Sequence, residues 1–380
     1  MSMRLCIRVD ASLQIGTGHV MRCLTLAEGF QKVGAQSHFI CRAHPGHLLD
    51  HIRQRGFSLT VLPIDPSESV VRQESVVASD AVAHADWLGC DWLTDAEQTR
   101  AVLTEYQAEW LVVDHYALDQ RWEHELRASC RKLMVIDDLA DRTHQCDLLL
   151  DQNLGRQTTD YRNLVPADCK PLLGPQYALL RPEFAALRSY SLQRRLQPVL
   201  KNILITMGGV DQPNATGRIL QTLKRCILPE DCRITVVMGA QAPWLTQVQA
   251  LAQDMPWQTQ VLVSIHDMAQ YMADSDLAIG AAGGTSWERC CLGLPSLMIV
   301  LADNQRSGAQ ALQEAKAAHL LGSLNDIEMR LPLAIQGLIS AQTTQHMLRE
   351  MSAAAAGLTD GLGLHEVLKT MQESMQDLHD

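Results

Sequence analysis

The sequence has few aromatic residues, no Cys-x-x-Cys pair, no basic cluster and no long apolar run. Aromatic residues fill only 4% of the 380 positions, so Leu, Val, Ile, Ala and Met must build the cores. The 11 cysteines are scattered, and the adjacent pair Cys290 and Cys291 is a poor arrangement for zinc. We therefore expect free, mostly buried thiols in a reducing cytoplasm.

The net charge is −11, from 32 basic and 43 acidic residues. Because no basic cluster interrupts this balance, no nucleic-acid partner is expected. Bound phosphates would be held by backbone N–H groups and helix N-termini more than by a cationic surface. No apolar run approaches the roughly 18 residues of a membrane span, and a predicted strand starts almost at the N-terminus, leaving no room for a signal peptide. We expect a cytoplasmic protein without a membrane partner.

Strand-like and helix-like segments alternate along the chain, which is typical of parallel sheets with crossover helices. The stretch 171–198 contains several prolines and no clear periodicity, and it separates two such halves. We predict two doubly wound, Rossmann-like α/β domains, 1–190 and 191–360, that face a ligand-binding cleft, followed by a tail at 361–380. The predicted strands are 6–9, 37–41, 110–113, 133–136 and 148–150, then 202–207, 233–238, 259–263, 277–280 and 296–301.

The most informative segment joins the first predicted strand to the first helix. Gly16 and Gly18 allow a tight turn and a close approach to a ligand. The third glycine of a dinucleotide fingerprint and the lysine of a P-loop are both missing. His19 lies in the first helical turn, where the helix dipole favours the neutral imidazole. That position suits a general base, and a helix-capping or packing role for His19 fits equally well.

A second glycine-rich turn follows the predicted strand at 277–280. A strand, a glycine pair, two hydroxyl residues and a helix together form an anion site from backbone N–H groups. The acidic residue in the first helical turn is positioned to accept hydrogen bonds from a diol such as ribose. The threonine and the acidic residue also fit a capping box. The residues are Gly283, Gly284, Thr285, Ser286 and Glu288.

Two further segments follow predicted strands of the second half. Gly208 and Gly209 precede a helix with an Asx cap, and two such turns in one sheet can flank one diphosphate. Asn304 lies in an Asp-Asn-Gln run whose amides suit an N-acetylated sugar, while a helix cap explains the run equally well.

Carboxylates follow two predicted strands of the first half. Asp114, with Tyr116 close behind it, ends one strand, and Asp137 and Asp138 end the next. These groups could orient a sugar, or orient His19 as in a catalytic triad, and helix capping is the plain alternative.

Three histidines lie close together after the second predicted strand. They lack a carboxylate or thiol partner at helical spacing, so an exposed turn or a substrate loop is favoured over a metal site. They are His44, His47 and His51.

Taken together, these segments resemble the UDP-sugar hydrolases of pseudaminic acid biosynthesis, which hydrolyse UDP-2,4-diacetamido-2,4,6-trideoxy-β-L-altropyranose. The resemblance covers roughly residues 4–325. It rests on RVDAS at 8–12, IGTGHVMRCL at 15–24, DHYALD at 114–119, VIDDLA at 135–140, CDLLL at 146–150, DQN at 151–153, LGPQYALLRPEF at 173–184, the two glycine turns and DNQ at 303–305.

The resemblance implies a glycosyltransferase-B fold, with UDP held mainly by the second domain at its two glycine turns. It implies His19 as the base that activates water, and sugar contacts from Tyr116 and Asn304. Val210 stands where the family has a small hydroxyl residue, so one side-chain contact to the diphosphate is in doubt. A tail that crosses back onto the first domain is a further feature of such folds. The predicted substrate-binding residues also include Asp10, Gly16, Gly18 and Arg22.

The reaction implied is attack of water on the anomeric carbon, with inversion and release of UDP. Backbone donors would neutralise the leaving diphosphate, so we expect no metal and no cofactor. Two alternatives stay open. One is a transferase of the same fold that passes the sugar to an acceptor, and the other is a nucleotide-sugar-binding protein without catalysis.

Overall fold

The computed structural model describes residues 3–64, 82–339 and 344–376. The chain divides into two compact units, of which the first comprises Met1–Leu179 and Leu364–Asp380 and the second comprises Leu180–Gly363. Each unit is built on one parallel sheet covered by helices. The sequence placed the boundary at 190 and the start of the tail at 361, whereas the units divide after Leu179 and after Gly363.

In the described part of the first unit, seven parallel strands form one sheet. They are β1 (Arg4–Val9), β2 (Gln36–Arg42), β3 (Ser58–Leu62), β4 (Trp110–Asp114), β5 (Lys132–Ile136), β6 (Leu148–Asp151) and β7 (Lys170–Leu173). Their order is β3-β2-β1-β4-β5-β6-β7, which reverses between β1 and β4, so the loops that follow these two strands diverge to opposite faces and leave a crevice. Most residues of the central strands β1 and β4 are apolar and buried, which explains their largely hydrophobic sequences.

Helices cover this sheet, and the first of them follows from its apolar spacing. Val20, Leu24, Ala27 and Phe30 recur at helical spacing and are buried. Gly34 then adopts a φ of +84°, which ends the helix in a left-handed conformation. The helices of the first unit before the boundary are α1 (Gly18–Lys32), α2 (Leu49–Gln54), α3 (Trp92–Tyr106) and α4 (Gln120–Leu126), with 3₁₀ turns at Ala85–Leu88, Arg127–Ser129 and Pro175–Tyr177.

The last helix of the chain belongs to the first unit. In this helix Val367 and Met371 are fully buried within the hydrophobic core that contains the residues of β1 and α1. Gly29 of α1 lies directly against it, because a Cβ there would come within 2.9 Å of the Leu368 Cδ1 atom. Residues far apart in sequence therefore share one core. We number this helix α13 (Gly363–Gln376).

In the described part of the second unit, the strands are β8 (Asn202–Thr206), β9 (Arg233–Met238), β10 (Gln258–Val263), β11 (Leu277–Ala281), β12 (Ser296–Val300) and β13 (His319–Ser323). These six parallel strands have the order β10-β9-β8-β11-β12-β13, which reverses between β8 and β11. The helices are α5 (Pro182–Arg194), α6 (Ala215–Leu223), α7 (Leu245–Gln253), α8 (Met268–Asp274), α9 (Thr285–Cys291), α10 (Arg306–Glu314), α11 (Ile327–Ile339) and α12 (Thr344–Ala356), with 3₁₀ turns at Asp303–Gln305 and Leu324–Asp326.

Helix α5 corrects the prediction that residues 171–198 are irregular. Pro182 occupies the start of this helix, where the missing N–H has no intrahelical partner to lose. Arg195, just after α5, donates hydrogen bonds to the carbonyl oxygens of Met272, Ser275 and Leu292, which ties this segment to the second unit. The division between the two units does lie within 171–198, but part of this proline-containing stretch is helical.

The eleven cysteines all lie within the described residues, and all are free thiols. None of the helices formed by the described residues combines the length and the apolar character needed to span a bilayer.

Candidate functional site

The predicted site residues of the first unit lie at the reversal of its strand order. The turn with Gly16 and Gly18 follows β1, and Tyr116 follows β4, the strand next to it in the sheet. A Cβ at either glycine would meet no other atom within 4 Å, so both face open space, and Gly16 has a φ of +81°. Ligands of open parallel sheets bind at such positions.

His19 begins α1 beside the end of β4. Its Nδ1 lies 3.5 Å from an Asp114 carboxylate oxygen, and its ring stands edge-on to Tyr116 with centroids 4.6 Å apart. Burial lowers the pKa of His19 below its usual 6.5. Asp114 acts against this shift by raising the pKa, and Arg22 lowers it further. The imidazole is therefore neutral near pH 7, which is the form that accepts a proton.

Arg22 and two carboxylates form a charged cluster next to His19. The Arg22 guanidinium donates two hydrogen bonds of 2.7 Å to Asp114 and pairs with Asp138 at 2.7 Å. The Tyr116 hydroxyl donates to the same Asp138 oxygen at 2.7 Å. Burial alone would raise the pKa of the Asp114 carboxyl, but Arg22 lowers it, so Asp114 is ionised. The cluster carries two negative charges and one positive charge around the imidazole.

Two aromatic residues that the sequence did not single out complete this site. The His84 and Trp87 rings are in contact, tilted by 40° with centroids 4.2 Å apart, and their centroids lie 5.6 and 5.9 Å from that of the Tyr116 ring. Both side chains are only half-buried. The rings of His84 and Trp87 therefore extend the row of rings formed by His19 and Tyr116 toward solvent. Their segment is polar and mixed in sequence, and it gives no periodic signal.

Asp10 lies behind this site and is fully buried. One carboxylate oxygen accepts from the Arg42 backbone N–H at 2.7 Å, and the other pairs with Arg8 at 2.8 Å. The His115 and His44 Nε2 atoms lie 3.3 and 3.6 Å from the same second oxygen. Both carboxylate oxygens of Asp10 face protein groups. The contact between Asp10 and substrate stays a prediction. His44 points inward and not toward an exposed turn.

Asp137 and Asp151 meet at the Tyr161 hydroxyl, which lies 2.9 and 2.8 Å from their carboxylates. Asp137 also accepts from two backbone N–H groups of the loop that follows it, so it caps a turn and no helix begins there. Burial and the neighbouring Asp138 raise the pKa of Asp151 to about 7. Asp137 and Asp138 have separate roles. Asp137 caps the loop that follows β5, whereas Asp138 pairs with Arg22 in the cluster next to His19.

In the second unit the two glycine turns follow β8 and β11, which are neighbours in the sheet. Gly208 has a φ of +84°, and a Cβ at Gly208 or Gly284 would meet nothing within 4 Å. Gly283 is nearly as open, because the Gln305 amide is the nearest group at 3.7 Å. A Cβ at Gly239 would clash with the carbonyl oxygen of Gly209, so the turn that contains Gly208 packs closely against the loop that follows β9.

The start of α6 behaves differently from the turns. Asn214 caps it as predicted, accepting from the Gly217 N–H. Asp211 accepts from the Ala215 and Thr216 N–H groups at 2.9 Å each. These helix donors are already occupied by protein oxygens. An anion at this turn would therefore meet the N–H groups of the glycines and not those of the helix.

The capping box proposed for Thr285 and Glu288 is absent. The residue that caps α9 is Gly284, and no side chain accepts a hydrogen bond there. Glu288 instead lies 3.6 Å from the Arg181 guanidinium, and burial raises its pKa. Ser286 is buried and accepts from Arg289, so its hydroxyl faces the interior.

Asn304 lies in a 3₁₀ turn after β12 and is exposed. Its neighbour Gln305 turns inward and accepts from the Leu301 N–H at 3.0 Å. No side-chain cap forms at this turn, so the capping explanation for the segment is wrong.

The chain forms two α/β units, each built on a sheet of parallel strands. This architecture is the glycosyltransferase-B fold, as the sequence predicted. Residues 203–363 match the glycosyltransferase family 28 C-terminal domain. The crystal structure of MurG from Acinetobacter baumannii is similar over 98% of this chain and 99% of that chain, with a TM-score of 0.68 and 18% sequence identity.

Particular relatives refine this comparison. The UDP-2,4-diacetamido-2,4,6-trideoxy-β-L-altropyranose hydrolase of Campylobacter jejuni is 26% identical over 81% of this chain and 95% of its own length. The predicted resemblance to that hydrolase is thereby confirmed. An uncharacterised protein of Methanocaldococcus jannaschii is 24% identical over 80% of this chain, and the match covers only 57% of that relative. The chain thus spans little more than half of the archaeal protein.

Proposed function

We propose that this protein hydrolyses a UDP-activated 2,4-diacetamido-2,4,6-trideoxy hexose of the altrose type to the free sugar and UDP. The observation that carries the proposal is the neutral, buried imidazole of His19 beside Asp114. The name of the Campylobacter relative supports the choice of substrate. Pseudaminic acid biosynthesis is the pathway to which such a reaction would belong.

In the proposed step, His19 removes a proton from water as the water oxygen attacks the anomeric carbon. The bond between that carbon and the diphosphate oxygen breaks, UDP departs and the configuration inverts. Because Nδ1 faces Asp114, we assign proton acceptance to Nε2. The negative charge of Asp114 then stabilises the imidazolium that forms. Tyr116 and Asn304 are proposed to contact the sugar.

UDP is proposed to bind the second unit, with its diphosphate at the backbone N–H groups of the turns that contain Gly208 and Gly283. Glu288 is proposed to accept hydrogen bonds from the ribose. Because backbone donors stabilise the leaving group, no divalent metal should be required. Full activity after treatment with a chelator is the expected result, and a loss of activity that Mg²⁺ restores would contradict this part.

The His19→Asn variant tests the base. It should lower kcat by about 10²–10⁴-fold, the usual contribution of a general base. The matched control is His124→Asn, because His124 is an exposed histidine of α4 in the same unit. Release of UDP from the altrose-type substrate is the readout. A His19 variant within about threefold of the wild type would refute the assignment, since this is less than about 1 kcal/mol.

Heavy-oxygen water identifies the bond that breaks. Attack at the anomeric carbon places the label in the free sugar, whereas label in UDP would show attack at phosphorus. The match of residues 203–363 to a glycosyltransferase domain favours a transferase as the second candidate. Turnover in water without an acceptor separates it from the hydrolase. UDP binding without any turnover would indicate a non-catalytic binding protein.

A further inference from the structure

Arg289 of α9 is buried, with 1% of its surface exposed, under the turn that contains Gly283. Its guanidinium donates to the Ala281 carbonyl oxygen at 2.8 Å and to the Ser286 hydroxyl at 2.9 Å. A longer contact of 3.3 Å reaches the Thr285 hydroxyl. All three acceptors are neutral, and the Nε atom has no hydrogen-bond partner. The guanidinium thus supports the turn from below.

The same guanidinium lies where the two central strands of the sheet end. A Cβ at Gly280 would clash with Arg289 Nη1 and would lie 3.2 Å from the Thr206 carbonyl oxygen. Gly280 of β11 is the register partner of Thr206, the last residue of β8. The space that this glycine leaves free is therefore occupied by a cation, directly below the starting points of both glycine turns.

Within residues 3–64, 82–339 and 344–376, no ion pair includes Arg289. The neighbouring Glu288 carboxylate raises the pKa of Arg289 through its charge, but its ion-pair contact is with Arg181, at 3.6 Å. Burial lowers the pKa of Arg289 to about 10, so the side chain stays charged at neutral pH. A buried charge without an ion-pair partner is costly, and such groups are normally paired. Glu288 compensates the charge of Arg289 only in part, and an anionic ligand at the turn would supply the remaining negative charge.

We propose that the diphosphate of a nucleoside diphosphate, bound at the turns 207–209 and 282–285, is the counter-ion of Arg289. Arg289 is a positioning residue, because it acts through the turn and through its field without touching the ligand. This inference rests on the proposed binding of UDP to the second unit, and it explains how the leaving group could be stabilised without a metal.

Titration calorimetry with UDP and with uridine tests this role, because only UDP carries the diphosphate. Arg289→Met should weaken UDP binding at least about tenfold and leave uridine binding within about twofold. Arg289→Lys keeps the charge and should recover part of the loss. Arg330→Met is the matched control, because Arg330 is an exposed arginine of α11 in the same unit, and it should bind UDP as the wild type does.

Gly280→Ala provides a second route should Arg289→Met fail to fold. It keeps the charge and displaces the guanidinium, so it should also weaken UDP binding and spare uridine. Unchanged UDP binding in the folded variants, or an equal loss for UDP and uridine, would overturn the proposal. Hydrolysis is measured separately. A wild type that binds UDP but hydrolyses no UDP-sugar would refute the proposed reaction and leave the role of Arg289 standing.

Discussion

Replacing Asp114 with asparagine removes one charge from the His19 cluster while preserving the shape of the side chain. At the 3.5 Å that separates His19 Nδ1 from Asp114, two unit charges attract by about 5 kcal/mol at an effective dielectric constant of about 20. Arg22 shares the same carboxylate through two 2.7 Å hydrogen bonds, and its positive charge cancels much of this attraction. We therefore expect a net stabilisation of the imidazolium of about 1–2 kcal/mol, which corresponds to a fall in kcat of about 5–30-fold.

The pH profile provides the sharper measurement. Asp114 raises the pKa of His19 against the lowering effect of burial, so its removal should lower that pKa further. The neutral base then persists to lower pH, and the acidic limb of kcat/KM should move to lower pH. Asp147→Asn is the control. Asp147 pairs with Arg127 and Lys132 just before β6, at the N-terminal ends of the parallel strands, whereas Asp114 lies at a C-terminal end. An acidic limb that moves upward, or an unchanged kcat, would show that Asp114 does not act on His19.

Three other predictions concern stability and substrate contact. Met371→Ala should lower the free energy of unfolding by about 2–5 kcal/mol in urea, because this α13 side chain is fully buried in the first core; a loss below about 1 kcal/mol would mean that the helix does not share that core. The pKa of Asp151 is raised to about 7, so the folded protein holds a proton that the unfolded chain releases near pH 4. The contribution of Asp151 to the free energy of unfolding should therefore fall as pH rises from about 4 to 7, and Asp151→Asn should remove this fall from the measured slope; equal slopes in the two proteins would contradict the shift. Trp87→Ala should raise KM for the UDP-sugar with little change in kcat, because the half-buried Trp87 ring lies 5.9 Å from Tyr116, the proposed sugar contact, and extends its apolar surface. Trp87→Phe should restore most of the affinity; identical kinetics for both variants and the wild type would exclude a contact between Trp87 and the sugar.

The buried strands could be predicted from sequence because parallel strands covered on both faces are continuous apolar runs. The expected bounds at 233–238 are those of β9, and most others differ by one or two residues. The edge strands β3, β7 and β13 were missed, because each is mixed in polarity and only partly buried, and β7 contains Pro171. The edge strand β10 was predicted, one residue short at its start. Helix α4 ends at Leu126 and β5 begins at Lys132, and no change in the apolar spacing marks the 3₁₀ turn between them.

The candidate site was predictable where one short segment carried the signal. Glycines next to a strand end mark a turn, and His19 follows such a turn directly. Contacts between distant segments were not predictable, because no local pattern encodes them. Glu288 fits a capping box in sequence, yet Arg181, more than a hundred positions earlier, is its ion-pair partner. An arginine at position 289 is typical of a solvent-exposed helix surface. In the structure Arg289 is buried, in space that is free because residue 280 is a glycine.

The placement of α13 has a consequence for biosynthesis. The second unit is one continuous stretch, Leu180–Gly363, whereas the core of the first unit needs residues from both sides of it. A ribosome therefore releases the whole second unit before the first can close its hydrophobic interior. The second unit can reach its final packing first, although it is made later than most of its neighbour. Until α13 emerges, the face of α1 around Gly29 lacks the apolar side chains that cover it in the folded protein.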